Sequence, residues 1–228
     1  MIPACNLTEP LYADIPFDAN KAPSLCMLTS VSPAASLADV TCPVMLCDTE
    51  NTENAALICQ TARERGLSLT VLLTKDGDYP CDRLLVPEDL YETYQNAAST
   101  VGVRFAYDVR HPDILSRVTA LADAGVSLID VYPANPEARE EGKQDALWNE
   151  LCCTVELLAQ RKKDGHPIEF LPFSVMGLHA KHGIGAHRNA RCPTCTHRMV
   201  CGGRRLSHAD CEVKKMLAAC AVFLEQNE

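Results

Sequence analysis

Apolar runs alternate with amphipathic segments through most of this chain of 228 residues, and that alternation restricts its fold more than any other feature. The runs lie at Leu25–Val31, Val44–Cys47, Leu67–Thr74, Val101–Val109, Val126–Tyr132 and Ile168–Val175, with a shorter, weaker one at Leu84–Val86. Their lengths suit strands, and most are apolar on both alternating faces. Between them the spacing changes to that of a helix. In Thr52–Gly66, residues Ala55, Ile58, Cys59 and Ala62 share one face, and Gly66 supplies a stop. In Pro112–Gly125 the stripe is Ile114, Leu115, Val118, Leu121 and Ala122. Around Asp145–Gln160 it is Leu147, Trp148, Leu151, Cys152, Val155 and Leu158. Strands buried on both faces and separated by helices predict an α/β fold with a mostly parallel sheet. Six strands are too few for a closed eight-fold barrel. A six-stranded partial (βα) barrel or an open doubly wound sheet satisfies the pattern, and periodicity does not choose between them.

The flanks read differently. Residues 1–23 are rich in Pro, Asn and Asp without a period and predict an irregular leader. Residues 24–178 carry the alternation and form the barrel domain. Residues 179–228 form a small cysteine-rich module with a C-terminal helix. Chemistry in either sheet architecture belongs at the C-terminal strand ends. Those ends offer Asp48, Glu50, Asp108 and His111 as candidate acid/base groups, beside Thr49, Lys75, Asp76, Arg110, Tyr132, Asn135 and Ser174. Caps and solvated loops call for the same residue types.

Charge is unevenly spread. Residues 1–180 hold 13 Lys+Arg against 26 Asp+Glu, whereas residues 181–228 hold 8 against 4. Six basic residues and no acid lie between Lys181 and Arg205. Arg188, Arg191, Arg198, Arg204 and Arg205 form a patch able to attract an anionic partner or stabilise thiolates, or else simply a solvated loop. A net charge of −9, 5% aromatic residues and no basic helix face weigh against nucleic acid as a partner. No stretch approaches the ~18 apolar residues of a membrane span. Acids precede the first basic residue, Lys21, so no secretory signal is expected and the chain is placed in the cytoplasm.

Thirteen cysteines is a high and odd number, which argues for metal ligands and buried thiols over a disulfide framework. Cys59 and Cys152 lie on helical stripes and Cys26 in a strand, where thiols pack as small apolar groups. Cys192-x2-Cys195-x5-Cys201-x9-Cys211 is different, because it gathers four thiols within twenty residues. A C-x2-C turn lets two sulfurs face one centre, and soft thiolates suit zinc or an iron–sulfur cluster. Ser207-His-Ala-Asp210 is a capping signature that starts a helix near His208. The stripe of that helix is Val213, Met216, Leu217, Cys220, Phe223 and Leu224. Cys220 therefore belongs to a core. Cys211, off the stripe and in the first turn, is the predicted fourth ligand, with His187, His197 and His208 as substitutes.

Cys192-Pro-Thr-Cys195-Thr-His-Arg-Met-Val-Cys201-Gly-Gly resembles the auxiliary iron–sulfur motif of SPASM-type radical SAM enzymes. The family pattern continues with a cysteine where Arg205 stands, and Cys211 takes that role here. Val44–Gly77 is similar to the second strand, helix and third strand of the radical SAM partial barrel. Cys47-Asp48-Thr49-Glu50 replaces Gly-Gly-Glu-Pro, with Glu50 keeping the acid. Val101–Glu137 is similar to a strand–helix–strand of the second half. The resemblance implies a partial barrel, a 4Fe-4S-type cluster or zinc in the C-terminal module, and a role in peptide or protein modification. The C-x3-C-x2-C triad that binds the cluster for S-adenosylmethionine is missing, for no two cysteines here have C-x3-C spacing. The resemblance therefore implies a degenerate member that does not cleave S-adenosylmethionine by itself. Such a chain would act as a partner of an intact radical SAM enzyme or present a peptide or protein substrate. Two other readings compete: an enzyme of unrelated chemistry using the strand-end acids, and a zinc-ribbon nucleic-acid binder.

Overall fold

The computed structural model describes residues 26–135, 145–174, 216–217 and 219–225. Seven strands are present among them: β1 (Cys26–Leu28), β2 (Val44–Leu46), β3 (Leu69–Leu72), β4 (Arg83–Pro87), β5 (Thr100–Tyr107), β6 (Leu128–Pro133) and β7 (Glu169–Phe170). The sheet order follows the chain from β1 to β7, and the pairings β1–β2, β2–β3, β3–β4, β4–β5 and β6–β7 are all parallel. A doubly wound sheet reverses its order at a switch point. This one does not, and the fold is α/β with the strand order of a partial (βα) barrel. The shorter, weaker run Leu84–Val86 is the centre of β4 and joins the six other runs as a strand. The last apolar run yields only two strand residues before the chain turns helical at residues 171–174.

Contacts divide the described chain within β5, after Arg104. In the first unit, helix α1 (Thr52–Glu64) buries Ala55, Ile58, Cys59 and Ala62, the face its spacing predicts. These pack into a core with Val44, Leu46, Leu69, Val71, Leu84 and Val86. Asn51 caps α1 by accepting from the Asn54 N–H. At the other end Gly66 takes φ +66°, while its N–H bonds the Arg63 carbonyl and the Leu67 N–H bonds that of Ala62. This is a Schellman motif, and its left-handed residue costs least as glycine.

No helix connects β3 to β4. The crossover runs through residues 73–82, and Tyr79 fills the space a helix would occupy, 5% exposed and packed into the same core. Its ring lies so close to Gly77 that a Cβ there would come within 2.6 Å of the phenol oxygen. Asp82 secures the return to β4 by accepting from the Leu69 N–H at 2.8 Å. Between β4 and β5 lies the one-turn helix α2 (Tyr91–Tyr94).

In the second unit, helix α3 (Ile114–Asp123) packs on helix α4 (Asp145–Lys163). Ile114, Val118 and Leu121 face inward from α3, and Leu147, Leu151, Val155 and Leu158 from α4. The Asp113 side chain does not cap α3. Glu150 of α4 does the work from outside, its Oε2 accepting from the Leu115 N–H at 2.8 Å. Residues 216–217 and 219–225 are helical, with Leu217, Cys220 and Ala221 buried, so Cys220 is a core residue as its stripe predicts. The boundary expected between residues 178 and 179, and the leader 1–23, lie outside the described residues.

Candidate functional site

In the first unit the C-terminal strand ends are bound into one hydrogen-bonded surface. Asp48 follows β2, and its Oδ1 accepts from the Ser30 N–H at 3.2 Å, from the Ser30 hydroxyl, and from the Glu50 N–H at 3.3 Å. Ser30 is 1% exposed, and its Oγ in turn accepts from the Asn51 N–H at 3.0 Å. Asn54, one turn into α1, donates through Nδ2 to the carbonyls of Ser30 and Ser32, both at 2.8 Å. The loop after β1 is thus tied to the loop after β2 and to the start of α1.

Thr49 makes the next tie. It is fully buried. Its N–H donates to Thr74 Oγ1 at 2.9 Å, and its own Oγ1 accepts from the Thr74 and Lys75 N–H groups at 3.0 and 2.8 Å while donating to the Lys75 carbonyl at 2.9 Å. A hydroxyl has one donor and two acceptor positions, and Thr49 uses them all. Of the strand-end residues read from the sequence, Asp48 and Thr49 therefore hold loops together. Glu50 is exposed beside them.

The second unit has a similar clamp. Asp108 Oδ1 accepts from the Arg110 N–H at 2.8 Å and from Asn135 Nδ2 at 3.0 Å, while Asn135 Oδ1 accepts from the Val109 N–H at 3.0 Å. Those two donated bonds, the Arg110 one foremost, hold the Asp108 carboxyl below the ordinary carboxylate range. Asp108 is an anion throughout the neutral range, poorly matched to proton transfer there. His111 is exposed.

The sequence reading missed Ser30, Asn54 and Thr74: Ser30 and Thr74 fall near the ends of apolar runs and Asn54 in the first turn of α1, and local spacing carries no sign of their distant partners. It also absorbed two buried charges into strands: Arg104 of β5, 5% exposed, and Asp130 of β6, fully buried. Both have interaction partners. A cleft of ≈ 800 Å³ lies in the first unit at the opposite, N-terminal strand ends, lined in part by Arg63, Asp78, Asp82, Asn96 and Ser99.

Eight cysteines among the described residues are free thiols. Burial pushes Cys59 and Cys220 up to about 12, so both remain protonated at neutral pH and pack as small apolar groups. Among the described residues no group of three or more His, Cys, Asp or Glu side chains is placed to hold a metal ion. Cys192, Cys195, Cys201 and Cys211, the alternatives His187, His197 and His208, and Arg188, Arg191, Arg198, Arg204 and Arg205 all lie outside the described residues. No described helix is long and apolar enough to cross a membrane. The chain matches no protein-family model and no curated protein.

Proposed function

We propose that this chain is a degenerate relative of radical SAM/SPASM proteins that acts in peptide or protein modification without cleaving S-adenosylmethionine. In this reading Cys192, Cys195, Cys201 and Cys211 hold an iron–sulfur cluster or a zinc ion, a donor set whose softness fits either. The observation that carries the proposal is the unreversed, parallel strand order from β1 to β7, combined with a C-terminal C-x2-C-x5-C-x-G-G motif. The loop from β1 to β2 supports the loss of S-adenosylmethionine chemistry. It carries one thiol, Cys42, which is buried and raised by that burial. Ser30 anchors its first turn to Asp48. The proposed role is that of a partner to an intact radical SAM enzyme, or a carrier of its peptide or protein substrate, in the cytoplasm. An acid/base enzyme at the strand ends has less support, since Asp48 is committed to loop hydrogen bonds and Asp108 is held as an anion.

Anaerobic purification tests the metal. Iron with acid-labile sulfide, or zinc, should be present near one site per chain and fall sharply in a Cys192→Ser/Cys195→Ser double variant. Metal content equal to wild type in that variant overturns the ligand assignment. Under reduction with S-adenosylmethionine the isolated chain should yield no 5′-deoxyadenosine. Turnover would return it to the catalytic members of the family.

A further inference from the structure

We draw no further inference here: the strongest candidate, the open cleft at the N-terminal ends of β3, β4 and β5 where Asp78 and Asp82 lie beside the last turn of α1, is an acidic cluster with no second feature that points to a ligand.

Discussion

Thr49 illustrates how much one small side chain can organise when it is fully buried and fully bonded. Its hydroxyl serves three backbone groups of Thr74 and Lys75. Replacement by valine keeps the shape but strands those groups, and an unsatisfied buried polar group costs ~1–3 kcal/mol. Thr49→Val should lower unfolding free energy in urea by roughly 3 kcal/mol, with Thr49→Ser restoring most of it. A valine variant as stable as wild type would mean that water replaces the hydroxyl. The buried thiols make a prediction about alkali. Cys59 and Cys220 have folded values near 12 against an ordinary 9.0. Above pH ~9 the unfolded chain releases protons that the folded chain retains, so their stabilising effect is whole below ~9 and is lost as pH rises toward 12. Each thiol should add a slope of up to ~1.4 kcal/mol per pH unit in that window. Urea titrations from pH 8 to 10.5 measure it, and Cys59→Ala should reduce the slope. A slope unchanged by that substitution would assign the alkaline loss to other groups. Exposed Cys153 should meanwhile be alkylated before either of them.

Among the elements, α3 is the informative case. Its apolar stripe and its terminating Gly125, at φ +86°, were legible as sequence. Its N-terminal cap was not, because the cap comes from Glu150, 35 residues away on α4. Glu150→Ala should cost ~1 kcal/mol, the scale of a lost cap. Glu150→Gln should retain most of the stability through its amide oxygen. Equal losses in the two variants would show that the charge near the helix N-terminus outweighs the hydrogen bond. The β3–β4 crossover teaches the converse. A parallel connection normally runs through a helix, yet here Tyr79 fills the layer from a loop, its ring close against Gly77. Local periodicity had nothing to register there. The sequence signal of β4 is faint for a related reason: three apolar residues say little by themselves, whereas five residues paired with β5, three of them paired with β3 as well, make a central strand.

For the molecule as a whole, the uneven charge is the property with consequences for association. The basic residues from Arg188 to Arg205 are close in sequence, while residues 1–180 are strongly acidic. Exposed charges farther apart than ~8 Å are largely screened at physiological salt, so only a clustered patch attracts a partner appreciably. If the proposed role holds, binding of a peptide substrate or modifying enzyme should weaken as salt rises, and should fall about tenfold or more at low salt when Arg204 and Arg205 are reversed to Glu. Titration calorimetry at two salt concentrations, with metal content measured in parallel, checks this. A fully metallated double variant that binds as tightly as wild type would reduce the patch to a solvated cover.

The α/β class, the parallel character of the sheet, the buried faces of α1, α3 and α4, and the burial of Cys59 and Cys220 were all legible in the order of the residues. Each of these follows from local periodicity and the cost of exposing apolar surface, which neighbouring residues suffice to express. The sequence also placed Asp48, Thr49 and Asp108 at strand ends. What it left open was what they do there, because Asp48 meets Ser30 across 18 positions, Thr49 meets Lys75 across 26, and Asp108 meets Asn135 across 27. Only the tertiary structure brings such partners into hydrogen-bonding range. It also chose the unreversed strand order over a doubly wound sheet, since strand pairing depends on which segments meet in space rather than on the pattern within any one of them.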